Sequence, residues 1–246
     1  LNVSNSHAAI DEHNANANQH SQHQPQQQDS IQVFLRIRPN DQGKTNGNNE
    51  RQILEILDND QVRYCGLGGE QLFQFDRVGG PECSQLEVFD SIARDMTSQY
   101  LMGYNSTIFA YGQTGSGKTF TMQGAEGQEG LVQRILCLLF ARLDSESAEW
   151  PEVSVKGTFV EIYNETVYDL LSEQQGMTSR TVREDVKRNS VYIEGVREES
   201  LTSANDAIQV FLKGAQNRHV AETRMNRESS RSHSIFTVYL QRKRAS

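Results

Sequence analysis

The segment "STIFAYGQTGSGKTFTM" (106–122) constrains the fold of this chain more than any other part of the sequence. It runs from an apolar stretch, through a turn with three glycines, into a stretch compatible with a helix. The turn matches the pattern G-x-x-x-x-G-K-[ST], in which successive backbone N–H groups point at phosphate oxygens. We therefore expect a buried strand that leads into a phosphate-binding loop, as in α/β proteins that bind nucleotides.

The residues of this loop have distinct physical roles in holding a phosphate. Glycine adopts the backbone angles that a tight curl requires, so that several amide groups converge on one anion. The Lys118 side chain would reach the β- and γ-phosphates, and the Thr119 hydroxyl would ligate Mg²⁺. An ordinary glycine-rich turn is the alternative, but it would not need the flanking strand and helix. The predicted nucleotide-binding residues of the loop are Gly112, Gln113, Thr114, Gly115, Ser116, Gly117, Lys118 and Thr119.

Apolar periodicity predicts strands and helices that alternate after residue 30. "IQVFLRIRP" and "HSIFTVYLQRKR" read as strands, and "EVSVKGTFVEIYNETVYDLL" reads as a long strand followed by a short helical piece. Apolar spacing near 3.6 predicts helices in "SQLEVFDSIARDMTSQYLMG", in "LVQRILCLLFARLD", and in "SANDAIQVFLKGAQNRHV", which we expect to close near Gly214. "TVREDVKRNSVYIEGVREESL" reads as a hairpin lobe. The predicted fold class is α/β, with a central, mostly buried sheet flanked by helices.

Residues 1–30 differ in composition from the rest of the chain. They are dominated by Asn, Gln, His and Ser, and they contain neither Lys nor Arg. Such a segment buries too little apolar surface to offset its conformational entropy, so we predict that it is disordered. A metal site is the alternative for its histidines, but polar low-complexity sequence is the favoured interpretation. These histidines are His7, His13, His20 and His23.

The overall composition argues against several classes of function. A formal net charge of −8 argues against a nucleic-acid-binding protein. No apolar run approaches the roughly 18 residues of a membrane span, and the first residues lack the pattern of a signal peptide. Three cysteines without the spacing of a zinc site suit a reducing compartment, so we predict a cytosolic protein without a membrane partner.

A second polar cluster, "NRESSRSH", lies between a predicted helix and a predicted strand. Its hydroxyl groups could ligate Mg²⁺ or hold a water molecule, and its arginine could stabilise the charge of a transferring phosphate. A polar connecting loop with serine caps is the alternative. Because the chain also carries a phosphate-binding loop, a mobile nucleotide sensor is the better interpretation.

Three segments together resemble the motor domain of the kinesin superfamily. They are "GYNSTIFAYGQTGSGKTFTM", "FVEIYNETVYDLL" and "MNRESSRSHSIF", and they occur in the family's order and spacing. The resemblance runs from about Ile31 to the end of the chain, and "MNRESSRSH" and "VREDVK" are most similar to the kinesin-12 group. It implies a P-loop NTPase fold and a partial motor domain over residues 31–246, after the tail of residues 1–30.

The resemblance also implies roles for individual residues. Arg36, Arg38 and Pro39 match an element beside the adenine, and Tyr104 matches the tyrosine that helps to position this element. Arg218 matches the arginine of the helix that precedes the nucleotide sensor called switch I. The predicted switch I residues, to which the resemblance gives the catalytic role, are Asn226, Ser229, Ser230 and Arg231. Ser230 is the expected hydroxyl on the Mg²⁺ side, and Arg231 is the expected partner of a glutamate in a second sensor, switch II.

Switch II, of the form Asp-x-Ala-Gly-Ser-Glu, is expected after the last strand, and the sequence ends before it. Asp76 to Gly79 fits D-x-x-G, and Glu161 could end a strand as a substitute acid, but neither substitute is favoured. Alternating polarity around Glu161 suggests a half-exposed edge instead. Without switch II we expect very weak hydrolysis, and we expect unpaired backbone edges on the strand that leads into the loop. The charges of the hairpin lobe at Arg183, Lys187 and Arg188 read as a solvated face.

The leading hypothesis is the ATP-binding part of a motor that moves along microtubules, with ATP and Mg²⁺ as cofactors and with the cytoplasm and cytoskeleton as its location. A truncated module that binds nucleotide without hydrolysing it is the second hypothesis. An unrelated P-loop kinase or GTPase is the third, and it requires the later motifs to be coincidental. The sequence contains no coiled-coil heptads, so it makes no prediction about dimerisation.

Overall fold

The computed structural model describes residues 2–5, 31–39, 53–66, 68–173, 178–187, 189–224 and 231–244. These residues fall into two compact units. The larger unit lies within Leu1–His7 and Gln85–Ser246, and the smaller unit lies within Ala8–Ser84. The four histidines of the tail lie outside the described residues. In the described part of the chain, no helix is both long enough and apolar enough to cross a membrane.

The elements are numbered in chain order. The strands are β1 (Asn2–Asn5), β2 (Phe34–Arg36), β3 (Leu54–Ile56), β4 (Gln61–Gly66), β5 (Gly69–Gln74), β6 (Arg77–Gly79), β7 (Ser106–Thr107), β8 (Gly124–Ala125), β9 (Gln128–Glu129), β10 (Glu152–Tyr163), β11 (Thr166–Asp169), β12 (Thr178–Asp185), β13 (Ser190–Glu194), β14 (Glu199–Ser200) and β15 (Ser232–Lys243). The helices are α1 (Gln85–Val88), which continues through a π-helical turn (Phe89–Ala93) into α2 (Arg94–Leu101), and then α3 (Lys118–Gln123), α4 (Leu131–Ser145) and α5 (Ala204–Arg224).

The larger unit is built on one mixed sheet with the strand order β13-β12-β11-β10-β15-β1-β7, and β14 also pairs with β10. Its centre is the antiparallel pair of β10 and β15, whose register runs from Glu152↔Lys243 to Tyr163↔Ser232. Both strands are rich in β-branched and aromatic residues, which favour a buried sheet. The predicted α/β fold, with a central buried sheet and accompanying helices, is confirmed.

The core of this unit forms where α4 and α5 pack with the central strands. Phe159 of β10, Phe211 of α5 and Phe236 of β15 are all buried, and the distances between their ring centroids are 5.3 to 5.4 Å. Burial of each ring contributes about 1.5–3 kcal/mol, and each aromatic pair adds about 0.5–1.5 kcal/mol. The buried residues of α4 recur at intervals of three and four, as its sequence predicts.

Two expected element boundaries are wrong. Helix α5 continues past Gly214 to Arg224, and Gly214 lies in its buried face. A Cβ at this glycine would lie 2.3 Å from Phe159 Cδ1, so the glycine permits close approach to β10 and does not end the helix. The segment expected to be helical forms β11 instead. Asn164 and Glu165 have φ angles of 48° and 60°, which make the two-residue turn that pairs β11 with β10.

Strand β1 lies between β15 and β7, although the sequence predicts disorder for these four residues. It pairs in parallel with β15 from Asn2↔Thr237 to Asn5↔Leu240, and antiparallel with β7 at Val3↔Ser106. Backbone pairing does not depend on apolar side chains, so a polar segment can satisfy the hydrogen-bonding groups of a sheet edge. The rest of the predicted tail, residues 6–30, lies outside the described residues.

The strand that leads into the glycine loop is shorter than the sequence predicts. Only Ser106 and Thr107 form β7, at the end of the strand order. Beyond them, the side chains of Phe109 and Tyr111 are 70% and 95% exposed. The prediction of a buried strand through this segment is therefore wrong, because within the described residues β1 pairs only with the first two residues.

The smaller unit contains two separate sheets. Strands β2 and β6 pair in parallel, from Phe34↔Arg77 to Arg36↔Gly79. Strands β3, β4 and β5 form an antiparallel meander. The Asp76 carboxylate accepts a hydrogen bond from the Val33 backbone N–H at 2.6 Å, and so it stabilises the start of this parallel pair. This contact gives Asp76 a structural role within the smaller unit.

Candidate functional site

The glycine loop lies immediately before helix α3. Its backbone turns at Gln113, whose carbonyl oxygen accepts a hydrogen bond from the Ser116 N–H at 3.1 Å. Gly115 and Gly117 have φ angles of +76° and +97°, which residues with a side chain rarely adopt. Gly117 directly precedes the first residue of α3, and its carbonyl oxygen accepts a hydrogen bond from Thr121 N–H at 2.9 Å. The positive φ angle of Gly117 therefore allows the loop to continue directly into helix α3.

Lys118 folds back over the loop that precedes it. Its Nζ donates hydrogen bonds to the carbonyl oxygens of Gly112 and Gln113, each at 2.8 Å. An ammonium group has three donors, so these two bonds still permit a third bond to an anion. The charged group is held at the first residues of the loop, and an anion bound by the loop amides would lie beside it.

Thr119 is the second residue of α3, and its side chain is exposed. A hydroxyl oxygen next to a phosphate-binding loop is the type of hard ligand that Mg²⁺ uses together with phosphate oxygens. The curled backbone, the lysine ammonium and this hydroxyl form one continuous stretch from Gly112 to Thr119. This set of donors fits a polyphosphate with its magnesium ion.

The predicted adenine element and the tyrosine expected to position it belong to different units. Tyr104 belongs to the larger unit, follows α2, and is 66% exposed; its N–H donates to the Gln99 carbonyl at 3.2 Å. Arg36, Arg38 and Pro39 belong to the smaller unit. The Arg36 guanidinium donates to the Cys83 carbonyl at 3.1 Å, and its partial burial lowers its pKa from the ordinary value. Arg38 and Pro39 are exposed.

The predicted switch I residues are described only in part. Asn226, Ser229 and Ser230 lie outside the described residues. Arg231 is exposed and directly precedes β15. The next residue, Ser232, begins β15, and its hydroxyl lies 3.0 Å from Nη2 of Arg218. The structure therefore gives Arg218 a contact at the end of the predicted sensor.

Arg218 also forms a buried ion pair, which the sequence does not predict. Arg218 Nε donates to Glu161 Oε1 at 3.1 Å, and the Glu161 side chain is fully buried. The expected half-exposed edge at Glu161 is wrong, because β11 and β15 pair with β10 on its two sides. The signal that could have found the pair is the position of Arg218 at helical spacing from the apolar residues of α5.

Charges of the hairpin lobe and of the last strand form ion pairs. Arg183 of β12 lies 3.0 Å from Glu194 of β13. In β15, Arg242 lies 2.8 Å from Glu146 and stacks over the ring of Trp150, with its guanidinium carbon 4.4 Å from the ring centroid. Lys187 is exposed, and Arg188 lies outside the described residues.

Comparison with known proteins places these features in a family. The model for the kinesin motor domain matches residues 36–246. Kinesin-like protein KIF15 of Mus musculus is 38% identical over 235 aligned residues, with coverage of 91% of this chain and 17% of that protein. Kinesin-like protein KIN-12B of Arabidopsis thaliana is 38% identical over 225 residues, with coverage of 86% and 16%. Kinesin-like protein cut7 of Schizosaccharomyces pombe is 43% identical over 181 residues, with coverage of 70% and 16%.

A solved structure supports the same relationship. It is described as the structure of a fast kinesin, and it superposes with a TM-score of 0.78 at 34% sequence identity. The alignment covers 87% of this chain and 60% of the kinesin chain. The chain thus spans a small part of its curated relatives and little more than half of this solved motor. The residues that match the family model, 36–246, include the phosphate-binding loop, the central pair β10 and β15, and helix α5. The chain belongs to the kinesin motor domain family.

Proposed function

We propose that this chain is the nucleotide-binding part of a motor that couples ATP hydrolysis to movement along microtubules. The observation that carries the proposal is the loop in which Lys118 bonds to Gly112 and Gln113 at the start of α3. The solved kinesin is described by its ATPase mechanism and by its interactions with microtubules. The same chemistry in this chain would place it at the cytoskeleton in the cytoplasm.

Different residues of the loop would bind different parts of the nucleotide and its magnesium ion. Backbone amides of the loop would hold phosphate oxygens, and the Lys118 ammonium would neutralise part of their charge. Thr119, and Ser230 of switch I, would supply hydroxyl oxygens to the magnesium ion. A bound Mg²⁺ would supply positive charge that offsets the charge developing on phosphate transfer. By the family resemblance, Arg36, Arg38 and Pro39 would form the element beside the adenine, and Tyr104 would help to position this element.

Binding is tested by equilibrium titration of the purified chain with a fluorescent ATP analogue in the presence of Mg²⁺. Lys118→Ala should weaken affinity by at least about tenfold, because a charge-assisted hydrogen bond to phosphate contributes about 1.5–3 kcal/mol. Lys213→Ala, which removes an exposed lysine of α5, is the matched control and should bind as the unaltered chain does. Equal affinity for all three proteins would contradict the proposal.

Hydrolysis is a separate question, and a module that binds nucleotide without turnover is the second candidate. The 246 residues contain no Asp-x-Ala-Gly-Ser-Glu segment, which the family resemblance pairs with Arg231. We therefore expect the chain on its own to bind ATP and to hydrolyse it very weakly. Phosphate release should be measured with and without microtubules. Clear stimulation by microtubules would show that the chain is catalytically sufficient.

A further inference from the structure

Arg218 occupies a core position of helix α5. Among residues 204–221 of α5, the buried positions together with Arg218 recur at intervals of four, three, four and three, and all of them except Arg218 are apolar or glycine. They are Ala207, Phe211, Gly214, Arg218 and Ala221. A charged group in such a stripe costs several kcal/mol in desolvation unless an opposite charge and hydrogen bonds compensate it. Glu161, whose side chain is fully buried, provides that charge.

Helix α5 and strand β10 rise by similar distances from a close contact between them, and this brings Arg218 and Glu161 together. Gly214 lies against Phe159, with a distance of 2.3 Å from an added Cβ to Phe159 Cδ1. Four residues further along α5 is Arg218, and two residues further along β10 is Glu161. Four helical residues rise about 6 Å, and two strand residues rise about 6.6–6.8 Å. The close contact at Gly214 therefore sets the distance at which Arg218 meets Glu161.

The guanidinium also bonds to a third element. While Nε donates to Glu161, Nη2 donates to the Ser232 hydroxyl at 3.0 Å. Ser232 is the first residue of β15 and pairs with Tyr163, the last residue of β10. The planar fork of an arginine presents its donors in a rigid arrangement, whereas the donors of a lysine all lie on one rotatable nitrogen. One side chain thus joins α5, β10 and the beginning of β15.

We infer that Glu161 and Arg218 are positioning residues for nucleotide sensing, and that they act by fixing Ser232 and with it the backbone that carries Arg231. This inference rests on the proposed function. A pair that served only the packing of α5 could be replaced by apolar residues without loss of stability. The bond to Ser232 gives the pair a further task, because Ser232 directly follows the arginine that the family resemblance assigns to switch I.

The test is the discrimination between nucleotides with and without a γ-phosphate. The Kd values of AMPPNP and of ADP are measured for the 246-residue chain in saturating Mg²⁺. Ser232→Ala removes the hydroxyl but leaves the buried ion pair. It should weaken AMPPNP binding by about fivefold to tenfold, the equivalent of one hydrogen bond, while ADP binding changes by less than about twofold. Arg218→Lys should have the same effect, because it retains the charge but loses the fork.

Glu161→Gln has a matched control in Asp169→Asn. Asp169 is also a buried carboxylate; it lies 3.2 Å from Arg180 and accepts a hydrogen bond from the Leu171 N–H at 3.0 Å. It belongs to β11, on the side of β10 opposite to β15 and Ser232. Both substitutions should lower the melting temperature. Glu161→Gln should also reduce the preference for AMPPNP over ADP, and Asp169→Asn should leave this preference unchanged.

The outcomes separate the inference from the proposed function. If the unaltered chain binds neither nucleotide, the proposed function is wrong and the inference fails with it. If the chain binds both nucleotides, and Ser232→Ala and Arg218→Lys keep its preference for AMPPNP, the inference alone is overturned. The same holds if Asp169→Asn loses the preference as strongly as Glu161→Gln. These comparisons remain decisive even where Glu161→Gln fails to fold.

Discussion

Lys118 Nζ lies 2.8 Å from the carbonyl oxygen of Gly112, six residues earlier in the chain. A second bond of the same length reaches Gln113. These bonds join the first residues of the phosphate-binding loop to the first residue of α3. Because a charged donor bonds more strongly to carbonyl oxygens than a neutral one does, the lysine stabilises the loop that it serves.

Lys118→Ala should therefore reduce stability as well as binding. We expect the free energy of unfolding to fall by about 1–2 kcal/mol in the absence of nucleotide, because two charge-assisted hydrogen bonds are lost at a half-buried site. Denaturant titration measures this change. Lys213→Ala should lie within about 0.5 kcal/mol of the unaltered chain. Identical denaturation midpoints for both variants would show that the lysine does not stabilise the loop.

Gly214→Ala should destabilise the larger unit, although alanine favours a helix over glycine by about 1 kcal/mol. The added Cβ would lie 2.3 Å from Phe159 Cδ1, and overpacking of this kind costs about 1–3 kcal/mol. We expect a lower melting temperature in differential scanning calorimetry. Lys213→Ala, one residue earlier on the exposed face, is the control. A variant as stable as this control would mean that β10 yields to the new methyl group.

Tyr100 should make the fold sensitive to alkaline pH. It is 2% exposed, its hydroxyl donates to the Val238 carbonyl at 3.2 Å, and burial raises its pKa well above the ordinary value of 10.0, with partial opposition from Arg242. The unfolded chain releases this phenol proton near pH 10, whereas the folded chain retains it. The resulting stability is present below pH 10 and is lost as pH rises above it, by up to about 1.4 kcal/mol per pH unit.

Urea denaturation between pH 8 and pH 11 measures the effect. Tyr100→Phe should flatten the decline above pH 10, although the lost hydrogen bond lowers stability at every pH. Tyr239→Phe, at a side chain that is 39% exposed, should retain the decline of the unaltered chain. An equally steep decline in Tyr100→Phe would assign the sensitivity to another group.

The exposed rings after β7 should promote self-association. Phe109 and Tyr111 are two residues apart, and their side chains are 70% and 95% exposed. They follow β7, a short strand that is last in the strand order of the sheet. Exposed apolar side chains of this size favour association between chains. We expect a sedimentation coefficient that rises with concentration. The double variant Phe109→Ser/Tyr111→Ser should reduce this rise, and Met102→Ser, at an exposed side chain outside this segment, should not.

The elements with strong periodicity could be predicted from the sequence, and those decided by tertiary contacts could not. Helix α4 and strands β10 and β15 carry regular apolar patterns, and the sequence locates them correctly. Thr166–Asp169 is compatible with a helix, but its pairing with β10 and β12 makes it a strand. Gly214 resembles a helix end because sequence alone does not show the ring of Phe159 behind it.

In the candidate site, too, local features could be predicted from the sequence and tertiary contacts could not. The phosphate-binding loop is a local motif, so its residues can be named from spacing alone. The contact of Glu161 with Arg218 joins residues 57 positions apart, and it depends on the register between α5 and β10. Polarity around Glu161 is a misleading signal, since a charge paired inside a sheet and a charge at an exposed edge look alike in sequence.

Strand β1 has a consequence for how this sheet forms. Asn2 pairs with Thr237, so the partners are 235 positions apart in the chain, and this contact is among the most non-local that 246 residues allow. The entropy of closing such a loop must be overcome before the contact contributes any stability. During synthesis on the ribosome, β1 is made more than 200 residues before β15 and cannot pair with it until β15 has emerged. We therefore expect pairing of β1 to be a late and slow step of folding, limited by translation in the cell and by chain topology in refolding.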